Sequence, residues 1–285
     1  MQDTPPFRLR MPRLQTSAVI FASPHSGRRY PAQMLGRSLL DPLRLRSSED
    51  AYVDRLLASA PQAGAPLLSA LLPRAWVDLN RAEDELDPAL IEGLRGYRPS
   101  PRVAAGLGVI PRVVSGGRAI YAGKIERAEA EERLALVWRP YHDALARLMT
   151  MTRARFGRAI LIDVHSMPSE SLQGLGPTRP DVVLGDRFGA SAGADVVAGI
   201  AAVLEAEGLR VARNTPFAGA YIAERHGRPM LGSHVVQMEI DRALYLDEAR
   251  VRPSADFDAF AALMARVLAA LADLGRPENG RLAAE

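Results

Sequence analysis

The chain has 285 residues, of which 48% are hydrophobic, so it is long enough to bury a large core and to fold as one domain over residues 1–285. It carries 36 Lys and Arg against 33 Asp and Glu, for a formal net charge of +3. The arginines are spread along the chain and no run of five like charges occurs, so a nucleic-acid partner is not expected. Cysteine is absent, which excludes disulfides and thiolate metal sites and leaves histidine and carboxylate as metal ligands.

The beginning of the chain predicts a soluble, cytoplasmic protein with no membrane partner. Residues 1–15 are polar and proline-rich, without the apolar core of a signal peptide. No apolar run approaches the roughly 18 residues that a membrane-spanning helix needs. We expect residues 1–16 to form an irregular lead-in and residues 276–285 to form a frayed tail.

The first predicted strand ends close to a histidine. Residues 18–22 form a short apolar run that a proline ends, and His25 and Gly27 follow in a loop. Further on, Glu49 and Asp50 precede apolar residues at helical spacing, which predicts a helix cap and first turn. The alternative is that one of the two carboxylates binds a metal, and the pattern leaves both possibilities open.

Predicted strands and helices then alternate along the chain without an internal repeat. Two short strands are predicted at 67–72 and 75–79, and the region 92–118, rich in Gly, Pro and Arg, is predicted to be a functional cover. The longest helix is predicted over 126–156, kinked or split by Pro140. The remaining predicted elements are strands at 159–164, 181–185, 209–212 and 233–240 and helices at 192–207 and 254–274. This order predicts a single α/β domain with a mixed, mostly parallel sheet flanked by helices.

A second histidine stands at the end of a buried strand. Residues 159–164 are largely apolar, with a β-branched residue at every second position, and the run stops at His165, before Ser-Met-Pro. A histidine where a buried strand opens into a loop is either a satisfied polar residue or part of a functional site. His25 and His165, with Asp50 or Glu49, would supply three ligands, and three ligands with one open position are typical of catalytic zinc. We therefore predict one zinc ion per chain.

Glu239 is a carboxylate inside an apolar strand. Glutamate is depleted from strands and costly to bury without a partner. Either Glu239 pairs with an arginine, for which Arg213 and Arg242 are candidates, or it serves as a general base beside the metal.

The pair Asn80-Arg81 is a candidate anion-binding site. Arginine offers a planar fork that matches a carboxylate, and the asparagine amide adds a donor beside it. The alternative for Arg81 is an ordinary salt bridge to Glu83, Asp84 or Asp87.

Residues 189–193 match the Gly-x-Ser-x-Gly pattern of serine hydrolases, with Ser191 as the candidate nucleophile. In those enzymes a strand runs directly into the serine, whereas here Asp-Arg-Phe intervenes and the small residues indicate the start of a helix. We therefore keep a serine hydrolase only as an alternative, together with a non-catalytic arginine-rich binding protein.

Six motifs, taken together and in order, resemble the N-formylglutamate amidohydrolase family. They run from near the start of the chain to beyond residue 240, and their combination is specific although each alone is not. The motifs are Pro24-His-Ser-Gly27, Asp50-Ala-Tyr-Val-Asp54, Val77-Asp-Leu-Asn-Arg81, Asp163-Val-His-Ser-Met-Pro168, Asn214-Thr-Pro-Phe-Ala-Gly219 and Gln237-Met-Glu-Ile-Asp-Arg-Ala-Leu-Tyr245.

The resemblance implies a zinc-peptidase-like fold, similar to that of zinc carboxypeptidases and aspartoacylases, and an amidohydrolase mechanism. It implies that His25, Asp50 and His165 bind zinc and that Glu239 activates water. Relatives often place the acidic ligand a few residues after the first histidine, where this chain has Ser-Gly-Arg-Arg, so the carboxylate ligand departs from their pattern.

The resemblance also implies a small-molecule substrate. A segment of aspartoacylases similar to Asp-Leu-Asn-Arg binds the substrate carboxylate, which implies this role for Asn80 and Arg81, with Arg213 as a further candidate. The implied reaction is hydrolysis of N-formyl-L-glutamate to formate and L-glutamate, a step of histidine degradation. The alternative is a different N-acyl amino acid as the substrate.

Overall fold

A seven-stranded sheet forms the centre of the protein, for which a computed structural model describes residues 5–94, 96, 98–174 and 179–277. Its strands are β1 (Phe7–Arg10), β2 (Val19–Ser23), β3 (Leu67–Ala70), β6 (Ala159–Met167), β7 (Val182–Gly185), β8 (Val211–Arg213) and β9 (Ser233–Asp241). Their spatial order is β1-β3-β2-β6-β9-β7-β8. Two small antiparallel ribbons lie outside it, β4 (Val113–Val114) with β5 (Arg118–Ala119) and β10 (Leu246–Asp247) with β11 (Arg252–Pro253).

The sheet is mixed but mostly parallel, as the alternation of elements predicts. Strands β3, β2, β6 and β9 run parallel to one another, and β7 runs parallel to β8. The antiparallel pairs are β1 with β3 and β7 with β9. The long pairing of β6 with β9 sets Asp163 opposite Gln237 and His165 opposite Glu239.

Helices cover both faces of the sheet. The helices are α1 (Ala32–Arg37), α2 (Pro42–Leu45), α3 (Val53–Leu56), α4 (Pro101–Ala104), α5 (Arg127–Arg133), α6 (Arg139–Phe156), α7 (Ala194–Ala206), α8 (Tyr221–His226) and α9 (Phe257–Leu274). Alternate residues of β6 enter opposite hydrophobic clusters: Ile160 and Ile162 pack with α3, α7 and α9, whereas Leu161 packs with α5, α6 and α8. No helix in the described part of the chain is long and apolar enough to cross a membrane.

The predicted irregular lead-in is wrong over residues 7–10. These residues form β1, which pairs with β3 at the edge of the sheet. Two of its four side chains are exposed, so the strand lacks the continuous apolar run of the central strands. Residues 1–4, and residues 278–285 of the predicted tail, lie outside the described residues.

The strand predicted at 75–79 is also absent from the structure. Trp76, Val77 and Leu79 are buried in the core, but their backbone is irregular: Trp76 N donates to the Pro73 carbonyl in a turn, and Asp78 N donates to the carbonyl of Val109 in a distant loop. An apolar run therefore reaches the core here without entering a sheet.

The long helix predicted at 126–156 consists of α5 and α6 joined by a π-helical segment, Leu134–Trp138. The interruption lies just before Pro140 and not at it, because proline is tolerated in the first turn of α6. The cap predicted at Glu49 and Asp50 is wrong as well, since both residues precede α3 in an extended loop after a 3₁₀ turn, Arg46–Ser48.

Candidate active site

Three side chains converge at the carboxyl ends of β2 and β6. His25 follows β2, His165 lies near the end of β6 and Asp50 precedes α3. All three are buried, and one ligand atom from each lies within 4.8 Å of the others. His165 Nδ1 lies 3.1 Å from His25 Nδ1 and 3.0 Å from Asp50 Oδ2, and His25 Nδ1 lies 3.5 Å from the same oxygen. The structure therefore brings together the three side chains that the sequence predicts to be metal ligands.

Gly27 lets the loop that carries His25 pack against the chain that leaves β3. A Cβ atom at Gly27 would lie 2.0 Å from the Leu72 carbonyl oxygen, far inside contact distance. The backbone N–H of Asp50 donates to the His25 carbonyl at 3.0 Å, which fixes the two predicted ligands relative to each other.

A carboxylate orients the His25 ring. His25 Nε2 donates to Asp78 Oδ1 at 2.7 Å, and Arg74 donates to Asp78 Oδ2 at 2.7 Å. Burial acts to raise the pKa of Asp78, but the charges of Arg74 and His25 hold it well below its ordinary value. Asp78 is therefore an anion that keeps the hydrogen of His25 on Nε2.

His165 has the same arrangement on its own strand. Its Nε2 donates to Asp163 Oδ2 at 3.0 Å, two residues back on the same face of β6. Burial acts to lower the pKa of His165, but the charge of Asp163 and hydrogen bonds with Asp163 and Asp50 raise it well above its ordinary value.

These tautomers leave both Nδ1 atoms without a hydrogen when the rings are neutral. The two nitrogen lone pairs then face each other at 3.1 Å beside the Asp50 carboxylate, and such an arrangement is repulsive unless a cation lies among them. In the absence of a metal, a proton on one ring removes this repulsion, in keeping with the raised pKa of His165. Two imidazoles and one carboxylate also fit a divalent metal with an open coordination position. The cluster could hold a metal ion.

The second oxygen of Asp50 is bound on the other side. Asp50 Oδ1 accepts hydrogen bonds from Ser166 Oγ at 3.1 Å and Arg242 Nη2 at 3.2 Å, and Arg242 Nε donates to Ser166 Oγ at 3.0 Å. Burial acts to raise the pKa of Asp50, but hydrogen bonds with His165 and His25 hold it well below its ordinary value. Asp50 is therefore a carboxylate whose Oδ2 faces the histidines.

Glu49, the alternative carboxylate ligand, faces away from the cluster. It accepts hydrogen bonds from Arg46 Nε at 3.0 Å and from the Tyr30 hydroxyl at 2.8 Å. This buried carboxylate is thus satisfied by its own neighbours.

Glu239 lies beside His165 in the sheet, and both residues line a cavity beside the cluster. Its Oε1 accepts a hydrogen bond from Gln237 Nε2 at 2.8 Å, and burial raises the pKa of Glu239 above its ordinary value. The arginines considered as its partners pair elsewhere: Arg213 with Asp186 at 2.8 Å and Arg242 with Asp50.

Asn80 supports the cluster from behind. Its Nδ2 donates to Gln237 Oε1 at 3.2 Å and lies 3.3 Å from His165 Nε2, while its Oδ1 accepts the Ile222 N–H at 2.8 Å. The amide is buried and its hydrogen-bonding groups have protein partners, so its contacts are those of a residue that fixes its neighbours.

Arg81 donates to carbonyl oxygens. Its Nε bonds the Leu107 carbonyl at 3.1 Å and its Nη1 the Asn80 carbonyl at 2.9 Å, and burial lowers the pKa of Arg81. Of the acids considered as salt-bridge partners, Glu83 pairs with Arg139 and Asp87 with Arg112.

A cavity of about 450 Å³ opens beside the cluster. Its wall includes two guanidinium groups, those of Arg74 and Arg242, whereas Arg81 and Arg213 are not among the described residues that line it. The region 105–117, within the predicted cover, supplies much of the opposite wall.

Asp78, Asp163 and Gln237 lie within the quoted motifs, but no role is predicted for them from the sequence, although a partial signal is present. Asp163 and Gln237 each precede a predicted functional residue by two positions within a strand, so both members of each pair project from the same face of the sheet. Asp78 lies far from His25 in the sequence and becomes its partner only through the tertiary structure.

Ser191 does not resemble a nucleophile. It is buried, and its hydroxyl donates to the Val235 carbonyl at 2.8 Å.

Comparisons with known proteins identify a family and related structures. The sequence model of the N-formylglutamate amidohydrolase family matches residues 17–246. The chain is 33% identical over 234 residues to an N-formylglutamate deformylase of Pseudomonas aeruginosa, covering 81% of this chain and 82% of that protein. A deformylase of the same name from Pseudomonas putida is 30% identical over 235 residues, with coverage of 81% and 82%. The crystal structure of an N-formylglutamate amidohydrolase from Ralstonia eutropha superposes with a TM-score of 0.89 at 33% identity, covering 95% of this chain and 99% of the other.

We predict that Asp50→Asn strongly weakens the binding of added zinc, used as the probe metal, whereas Glu49→Gln leaves it nearly unchanged. Asparagine keeps the size of the side chain but removes the anionic oxygen that faces the histidines, while Glu49 contacts Arg46 and Tyr30. The expected loss for Asp50→Asn exceeds the roughly 10- to 100-fold typical of residues outside the ligand shell. Competition with a chromophoric chelator measures the affinity. Equal zinc affinities for the two variants would remove Asp50 from the ligands.

Proposed function

Since the chain belongs to the N-formylglutamate amidohydrolase family, we propose that it hydrolyses N-formyl-L-glutamate to formate and L-glutamate, using a zinc ion held by His25, Asp50 and His165. The observation that carries this proposal is the cluster of these three ligands beside Glu239, in the wall of one cavity. In the cell, this reaction would serve histidine degradation.

The donor set supports zinc as the metal. Zinc accepts imidazole nitrogen and carboxylate oxygen and keeps an open position in catalytic sites. Zinc bound there would act as a Lewis acid toward the formyl oxygen and would make water a stronger acid. Asp78 and Asp163 would keep the hydrogens of both rings on Nε2, so that both Nδ1 atoms remain free to bind.

Glu239 would be the general base. Gln237 holds its Oε1, so Oε2 is the oxygen left to take a proton from the attacking water and deliver it to the leaving amine. Burial raises the pKa of Glu239, which makes its carboxylate a better proton acceptor near neutral pH.

Arg81 would attract a carboxylate of the substrate. Arg74 and Arg242 each already pair with an aspartate, whereas the hydrogen bonds of Arg81 go to carbonyl oxygens that carry no net charge. One of those carbonyls belongs to Leu107, which lines the cavity, so a substrate carboxylate at this wall would meet positive charge. We propose Asn80 as the residue that supports this position and do not extend the proposal to Arg213, which pairs with Asp186.

We predict that purified protein releases formate from N-formyl-L-glutamate and that Glu239→Gln lowers kcat by roughly 10²–10⁴-fold. Glutamine preserves the volume of the side chain but accepts no proton, so thermal stability and zinc content should stay near their wild-type values. The measurement combines a formate assay, Tm and metal analysis on the same samples. A lower Tm with wild-type turnover per folded molecule would show that Glu239 is only structural.

We predict that Arg81→Ala raises KM for N-formyl-L-glutamate by about 10- to 150-fold, the range expected for losing a charge-assisted hydrogen bond. It should also weaken discrimination against N-formyl amino acids that have only one carboxylate. Arg213→Ala is the matched control and should leave both quantities unchanged. A panel of N-formyl and larger N-acyl amino acids measures the ranking, and an unchanged ranking for Arg81→Ala would contradict its role.

A further inference from the structure

Two ring N–H groups hold the segment 78–81 from outside the cavity. Trp138 Nε1 donates to the Arg81 carbonyl at 3.0 Å, and His142 Nε2 donates to the Leu79 carbonyl at 3.0 Å. The two bonds therefore flank Asn80, whose side chain contacts His165 and Gln237.

Both donors come from one side of the interrupted long helix. Trp138 is the last residue of the π-helical segment and His142 lies in the first turns of α6, four residues later. Their ring centroids are 4.2 Å apart, so the rings pack against each other as well as against the segment. Single π turns of this kind are often found at functional sites because they redirect side chains.

Hydrogen bonding determines the tautomer of His142. A carbonyl oxygen only accepts, so the ring hydrogen lies on Nε2, and Nδ1 accepts from His226 Nε2 at 3.3 Å. Burial lowers the pKa of His142 to about 3 and of His226 to about 4, which keeps both rings neutral near pH 7. The donor to Leu79 is thus constant over the physiological range.

Helix α8 completes this arrangement on the other side of the segment. Ile222, in its first turn, donates its backbone N–H to Asn80 Oδ1, and His226, at its end, stacks on His142 with an interplanar angle of 6°. Tyr221 packs against both the Trp138 and the His142 rings. The segment 78–81 is therefore held between α6 and α8, and neither Trp138 nor His142 lines the cavity.

We infer that Trp138 and His142 are positioning residues, which hold the Leu79 and Arg81 carbonyls and thereby fix the Asn80 side chain against His165 and Gln237. The same two bonds hold Arg81 beside Leu107, a residue of the cavity wall. This inference rests on the proposed function for its kinetic consequence. A purely structural role would require only that the two rings fill space between α6 and α8, and their N–H groups would then be dispensable.

The test replaces Trp138 by phenylalanine, which keeps an aromatic ring and removes the N–H group. Trp76→Phe is the matched control, because Trp76 is also buried, in the same hydrophobic cluster, and its indole N–H has no partner among the described residues. We expect Trp138→Phe to raise KM for N-formyl-L-glutamate about threefold to tenfold while kcat changes less than twofold, as expected for the loss of a single neutral hydrogen bond. Trp76→Phe should leave the ratio of KM to kcat at the wild-type value.

Hydrogen–deuterium exchange of peptides covering residues 78–82 provides a readout that does not depend on catalysis. Exchange should be at least about threefold faster in Trp138→Phe than in wild type or Trp76→Phe. The reason is that losing one such hydrogen bond shifts the equilibrium between the closed and the locally opened backbone by about that factor. If wild type fails to release formate from N-formyl-L-glutamate but the exchange difference is present, the proposed function fails and the positioning role stands. If Trp138→Phe and Trp76→Phe have the same exchange rates and the same KM, the inference is wrong.

The second variant pair keeps the test decisive if Trp138→Phe does not fold. His142→Phe removes the donor to Leu79, and His142→Gln offers a side-chain amide N–H at a similar reach. We expect faster exchange and a higher KM in His142→Phe. A return of both quantities toward their wild-type values in His142→Gln would support the positioning role. Equal behaviour of the two variants would contradict it.

Discussion

The approach of two imidazole Nδ1 atoms to 3.1 Å, beside a buried carboxylate, is the constraint on which the rest of the site depends. Two neutral rings with unprotonated nitrogens facing each other are stable only if a cation lies between them. Asp78 and Asp163 impose this arrangement by accepting the other ring hydrogens, and Ser166 and Arg242 leave one oxygen of Asp50 toward the rings. The surrounding polar groups therefore favour a positive charge at this point, either a proton on one ring or a bound metal ion.

The sheet supplies the positions. Parallel strands β2 and β6 end at the same edge, which brings His25 and His165 together although they are 140 residues apart in sequence. The register between β6 and β9 sets Glu239 beside His165. The 78–81 segment then closes the rear of the site, fixed by ring donors on one side and by α8 on the other. His165 and Glu239 therefore take their directions from central strands of the sheet, whereas His25 and Asp50 lie in loops joined by a backbone hydrogen bond.

The sequence predicted the parts of this site that depend on local pattern. Apolar runs identified β2 and β6, and the isolated acid in an apolar strand identified Glu239. The predicted end of β6 before His165 is wrong, because the strand continues through His165 to Met167 in its pairing with β9. Patterns failed where the outcome depends on tertiary contacts. Glu49 and Asp50 are adjacent and chemically alike, and only the positions of Arg46, Tyr30 and the histidines distinguish them. Likewise, the apolar residues 75–79 enter the core without pairing, because the turn that starts at Pro73 directs them there.

Anomalous diffraction at the zinc absorption edge, from crystals of active protein grown with zinc, would locate the metal. We predict one strong anomalous peak within bonding distance of His25 Nδ1, His165 Nδ1 and Asp50 Oδ2, at roughly 2.0–2.2 Å from each. A crystal of active protein with no peak at these atoms, or with its metal bound by other side chains, would show that these three residues are not the ligands.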